Sequence, residues 1–134
     1  DVSQSYLEMA DKTIKELLNV KTNIWKSSMV YYGYYYCLYS VMMKLGVKCE
    51  IHSCSIEFMK SFLKDLYSES DCELIEKAFK LRNSTQYYPS QELENVTLEM
   101  LKNNLGNFCY KTKDILMNLS DSEMDEIRKG VENE

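Results

Sequence analysis

Hydrophobic residues recur along this chain at intervals of three and four, the spacing of one face of an α-helix, and nowhere alternate as they do in a half-buried strand. Leu7, Ala10, Ile14, Leu17 and Leu18 form one such face, opposite Glu8, Asp11, Lys12, Lys15 and Glu16. They predict a first helix, capped by Ser3 or Ser5 and running to about Asn19. The stretch 28–45 differs in being apolar nearly all round, the pattern of a helix buried among several others. It holds six of the eleven tyrosines: Tyr31, Tyr32, Tyr34, Tyr35, Tyr36 and Tyr39. Helical spacing puts Tyr32, Tyr35, Tyr39, Met42 and Met43 on one stripe, with Tyr34 and Val41 opposite. Ser28, Gly33, Cys37 and Ser40 are small enough to let a neighbouring helix approach closely. Because a buried tyrosine hydroxyl needs a partner, a wet, polar-tipped groove is expected over a dry interior, although burial statistics weigh towards these tyrosines being simply core. Gly46 predicts the end of this helix in a left-handed turn.

Three further helices and a short sixth follow. Ser53 or Ser55 caps a third helix to about Leu66, with Ile56, Met59, Phe62, Leu63 and Leu66 inward. Ser70 with Glu73 three positions on predicts a capping box for a fourth, carrying Leu74, Ile75, Ala78, Phe79 and Leu81 to about Gln86. Pro89 stops it, since a proline disfavours helical backbone at the residue before it. After a loop over 90–95, Thr97 caps a long fifth helix with Leu98, Leu101, Leu105, Phe108, Ile115 and Leu116 on its apolar side, weakened locally by Gly106. Ser120-Asp-Ser-Glu opens a short helix with Met124, Ile127 and Val131 on one side. The expectation is a single all-α domain over 1–134: an up-and-down four-helix bundle with one or two extra short helices.

Charge narrows the function classes. The net charge is −5, and beyond Leu119 six acidic residues face only Arg128 and Lys129, so the body is nearly neutral and the end acidic. No basic stripe of the kind that tracks a nucleic-acid backbone is present, although a local cluster remains compatible with the composition. Five cysteines, an odd number without a secreted-domain framework, predict reduced thiols. With no signal-peptide pattern and no membrane-length apolar run, the expected location is the cytoplasm, away from any membrane.

Three constellations could carry chemistry. Arg82-Asn83-Ser-Thr-Gln-Tyr87-Tyr88 puts a guanidinium at a helix end with hydroxyl donors five and six residues on, the elements of a phosphate clamp. The alternative is that Arg82 complements the negative helix C-terminus. Cys49-Glu-Ile-His52-Ser-Cys54 holds two thiols and the one imidazole, but the spacing is unusual and a closed zinc set needs a fourth ligand, so no metal is expected and His52 reads as a loop residue with local hydrogen bonds. No Gly-rich phosphate loop, Ser-His-Asp order or His-Glu-x-x-His helix occurs, so no cofactor is implied. With a single histidine, any acid–base catalysis falls to His52, a shifted carboxylate or an unusual tyrosine.

Tyr31-Tyr-Gly-Tyr-Tyr-Tyr-Cys-Leu-Tyr-Ser-Val-Met-Met-Lys-Leu-Gly46 resembles the second helix of small HEPN (higher eukaryotes and prokaryotes nucleotide-binding) proteins. His52 falls where many of these have a Ser/Thr-His before the third helix, and Arg82 to Tyr87 resembles the Arg-x-x-x-x-Tyr form of their fourth-helix motif. The likeness spans about residues 5–118 and rests on the order and spacing of these motifs together. It implies a helical homodimer whose arginine motifs line a shared cleft, binding a nucleotide or RNA, in a toxin–antitoxin-type module with a minimal nucleotidyltransferase. On this likeness Arg82, Asn83, Tyr87 and Tyr88, with Tyr32 and Tyr35 of the second helix, are the expected ligand-binding residues. Ribonuclease members use Arg with a His four to six residues on. This chain has Tyr87 and Tyr88 there, so the resemblance implies binding rather than cleavage. The alternatives are a helical interaction module that binds no ligand, and a metal-independent ribonuclease using His52 with Arg82.

Overall fold

The computed structural model describes residues 1–87 and 94–133, together with their side chains apart from those of Gln86, Tyr87 and Glu94. Among the described residues six helices run in order: α1 (Val2–Leu17), α2 (Asn23–Leu45), α3 (His52–Phe62), α4 (Glu69–Tyr87), α5 (Glu94–Asn118) and α6 (Asp121–Glu132). The chain is an all-α helical bundle of four long helices and two shorter ones, as the periodicity predicts.

The core is organised around α2. It is buried along most of its length, and α1, α4 and α5 all pack against it. Three small residues set how closely they approach. Ser3 Oγ on α1 donates to the Ser40 carbonyl of α2 at 2.7 Å, and Ser40 Oγ in turn bonds the Cys37 carbonyl at 2.6 Å. At Gly33 the side chain of Leu105 from α5 occupies the space a Cβ would need. Gly46 ends α2 at φ 76°, and the Val47 N–H closes the turn on the Met42 carbonyl at 2.9 Å, a helix stop that most side chains would strain. Arg128 of α6 donates from Nε to the Leu45 carbonyl at 2.9 Å, putting a cation on the negative end of α2.

The tyrosines settle the choice between groove and core. Tyr31, Tyr34, Tyr35 and Tyr39 are buried, and the hydroxyls of the first three are tied off inside the protein. Tyr34 donates to the Leu101 carbonyl at 2.6 Å, while the Tyr35 hydroxyl pairs with Ser55 Oγ at 3.2 Å. The buried Tyr67 hydroxyl likewise meets Thr112 Oγ1 at 2.7 Å, with the Tyr67 ring stacked on Phe108. A wet stripe along the whole of α2 is therefore replaced by a satisfied polar core.

Several helix ends fall elsewhere than predicted. Asp1, not Ser3 or Ser5, caps α1 by accepting from the Ser3 N–H at 2.8 Å, which frees Ser3 to bond α2. The box at the start of α4 is Ser68 with Asp71 rather than Ser70 with Glu73: the Ser68 N–H donates to Asp71 Oδ2 at 2.8 Å and the Asp71 N–H to Ser68 Oγ at 3.1 Å. Asp71 also pairs with Lys111 of α5, so tertiary contact selects this register. Helix α3 stops at Phe62, four residues early, because the chain turns to bury Leu63 and Tyr67. The capping box at Ser120 and Glu123 forms as read. The predicted loop over 90–95 lies mostly outside the described residues, and α5 already includes Asn95, ahead of Thr97.

Candidate functional site

The first half of α2, the first residue of α3 and the last turns of α4 meet at one place. Four-residue spacing puts Tyr31 and Tyr35 on the same side of α2, and the turn after Gly46 brings the chain back so that His52 lies against them. The imidazole stacks on the Tyr35 ring with centroids 4.0 Å apart and planes 21° apart. Its Nδ1 lies 2.7 Å from the Tyr31 hydroxyl, sharing one hydrogen with it. Tyr32 meets the imidazole edge-on at 6.1 Å. His52 is thus no locally bonded loop residue: it opens α3, and its partner is 21 positions away.

Arg82 comes to the same rings from α4. Its Cζ lies 5.2 Å from the centroids of both Tyr31 and Tyr32, within cation–π range. Phe79, one turn earlier, packs on Tyr31 at 5.4 Å and fixes how the end of α4 sits against α2. The Arg82 Nε is buried and has no hydrogen-bond partner among the described residues. A buried N–H left so costs about 1–3 kcal/mol, which the two ring faces help to offset.

The electrostatics follow from this packing. Burial, and then the Arg82 cation, push the His52 imidazole below its ordinary value, so it is neutral near pH 7. Burial, reinforced by Tyr35 and opposed by Arg82, raises the Tyr31 hydroxyl far above the usual phenol range, so it remains an O–H group. Tyr35 is raised too, by burial first, against the Ser55 hydrogen bond. Among the described residues the site holds one permanent cation, one neutral imidazole and a set of phenols. No described side chain presents a carboxylate to either Arg82 or His52 in a hydrogen bond or ion pair.

The residues expected from the sequence divide clearly. The structure brings Arg82, His52, Tyr32 and Tyr35 together, with Tyr32 half-buried at the edge and Tyr35 behind the imidazole at 6% exposure. Asn83 is half-buried on α4, and its side chain makes no hydrogen bond among the described residues. Tyr88 and the side chain of Tyr87 lie outside what the structure describes. Tyr31, which touches both His52 and Arg82 at 0% exposure, is the residue that sequence reasoning missed. Its spacing from Tyr35 was a usable signal, but nothing in a sequence pairs residues 31 and 52.

Among the described residues no group of three or more His, Cys, Asp or Glu side chains is placed to hold a metal ion. All five cysteines are free thiols, with Cys49 and Cys54 flanking His52 in the chain. No described helix is long and apolar enough to cross a membrane. A cavity of about 600 Å³ opens between α3 and α4, lined by Met59, Lys60, Tyr67, Cys72, Glu73 and Glu76 among others, and includes none of the candidate residues. No family model, curated protein or solved structure matches this chain.

Proposed function

We propose that this is a HEPN-like helical protein that binds the phosphate of a nucleotide or RNA at Arg82, beside His52 and against the Tyr31 and Tyr32 rings. The observation that carries the reading is the Arg82 guanidinium: a half-buried cation on two aromatic faces, its Nε without an acceptor, and no described carboxylate paired with it. Arginines that serve only structure are normally satisfied by a carboxylate or by backbone carbonyls. A guanidinium without a carboxylate partner suits a phosphate, whose geometry the planar fork matches. The all-helical bundle and the order of the Tyr-rich helix, His52 and Arg82 support the family resemblance, and with it a homodimer that partners a minimal nucleotidyltransferase.

Titration of 5′-AMP and a short RNA into the wild type and Arg82→Ala at low salt tests this. Binding that is lost in the variant, with unchanged helical circular dichroism, is the expected result. Equal binding by both proteins removes Arg82 from the site.

One observation favours a second reading, metal-independent RNA cleavage. His52 shares Tyr31 and Tyr32 with Arg82, so a proton carrier and a phosphate-binding cation occupy one cluster although the motif itself lacks histidine. In that case the imidazole moves protons and Arg82 stabilises charge on the phosphate. RNA cleavage abolished by His52→Ala supports it, and inert wild-type protein removes it.

A further inference from the structure

The Tyr31 hydroxyl belongs to a fully buried side chain and must find its partner inside the protein. At 0% exposure its sole hydrogen-bond partner among the described residues is His52 Nδ1, at 2.7 Å. A neutral imidazole carries one N–H and one bare nitrogen, and the bond made by one nitrogen decides what the other offers. Two arrangements satisfy the distance: the phenol donates to a bare Nδ1, or a protonated Nδ1 donates to the phenol oxygen. The first is favoured because a phenol is the better donor and an imidazole nitrogen the better acceptor. The second also leaves the phenol hydrogen buried without an acceptor, which the burial of Tyr31 makes costly.

We propose that Tyr31 is the positioning residue of the Arg82 site: it holds His52 as the Nε2–H tautomer, so that the imidazole adds an N–H donor beside Arg82 and the pair favours an anion. This rests on the phosphate-binding reading and adds the ligand chemistry. Among the described residues the rings against the imidazole are Tyr31, Tyr32 and Tyr35 from α2, with Arg82 of α4 on the Tyr31 and Tyr32 rings. None of them is an acidic side chain, and Nε2 has no hydrogen-bond partner among the described residues. Arg82 N–H groups and the His52 Nε2–H therefore form a donor set that no described carboxylate faces. A terminal phosphate monoester, with three free oxygens and close to two negative charges, suits that set better than an internal diester with two oxygens and one charge.

The chain has one histidine, so its imidazole nitrogens give unambiguous nitrogen-15 signals. At a pH above the His52 titration the wild type should show a protonated Nε2 and a bare Nδ1. Tyr31→Phe keeps the ring under Arg82 but removes the hydroxyl. It should mix the tautomers and weaken 5′-AMP binding about 3- to 10-fold, the effect of losing one hydrogen bond. Adenylyl-adenosine, which carries only a diester, should bind the wild type more weakly than 5′-AMP. A protonated Nδ1 in the wild type overturns the assignment without any variant or ligand. So does a Tyr31→Phe protein with the wild-type tautomer and affinity, and adenylyl-adenosine binding as tightly as 5′-AMP overturns the monoester preference. If 5′-AMP does not bind the wild type at all, the phosphate reading fails by itself, and the nitrogen spectrum still decides what Tyr31 does to His52.

Discussion

Two glycines on facing helices should respond to the same substitution with opposite signs. A Cβ built on Gly33 of α2 falls 2.8 Å from Leu105 Cδ2 and 3.1 Å from Cδ1, whereas one on Gly106 of α5 meets nothing within 4 Å. Ordinary carbon contacts lie at about 3.5–4.0 Å, so Gly33→Ala obliges Leu105 to retreat by about 0.7 Å or more. The δ-methyls end a rotatable side chain, but Leu105 is 1% exposed and any swing displaces other core atoms. Overpacking of this kind costs about 1–3 kcal/mol, and alanine returns about 1 kcal/mol of helix propensity. Gly33→Ala should then lower stability by about 0–2 kcal/mol, while the exposed Gly106→Ala should raise it by about 1 kcal/mol. Propensity is common to both, so the difference between the variants isolates the clash. Urea unfolding followed by circular dichroism measures it, with equal slopes required for the comparison. In a Leu105→Ala background Gly33→Ala should cost less than it does in the wild type, because the shortened side chain vacates the space. If both glycine variants stabilise the protein equally, α2 and α5 are not in contact at Gly33 and the packing argument is wrong.

Other expectations are as direct. Asp71→Ala removes both the α4 cap bond to the Ser68 N–H and the ion pair with Lys111, and should cost about 1–2 kcal/mol in urea unfolding, mostly from the cap. The Asp71 carboxyl is pushed up by burial, but Lys111 and Ser68 outweigh this and hold it below its ordinary value; its contribution is present above about pH 4 and is lost as pH falls through the folded-state value. His52 behaves similarly for another reason. Its folded-state value is lowered by burial and Arg82, so the unfolded chain binds more protons in between, and stability should decline as pH falls from about 6.5 towards that lower value. His52→Gln should flatten this part of the wild-type stability profile, and identical slopes for the two proteins would refute it.

What the sequence disclosed follows the range of the forces involved. The buried character of α2, its stop at Gly46 and the box at Ser120 are written in spacing and local chemistry, and they were legible. Local rules were less decisive where tertiary contacts compete. Ser70 with Glu73 makes a good box on paper, yet Ser68 and Asp71 are used because Asp71 also reaches Lys111. Likewise α3 ends early because Leu63 and Tyr67 are worth more in the core than in a longer helix. The site shows the same division. Arg82 was identifiable from its motif, and His52 as the one histidine, but their shared Tyr31 depends on how α2, α3 and α4 cross, which no local pattern encodes.

The most direct test of the account is the pH titration of the single histidine by NMR in the wild type and in Arg82→Leu. If Arg82 and His52 belong to one site, the wild-type midpoint lies below the ordinary histidine value of about 6.5 and moves upward when the cation is removed. An ordinary midpoint in the wild type, unmoved by Arg82→Leu, would mean that the two residues do not act together.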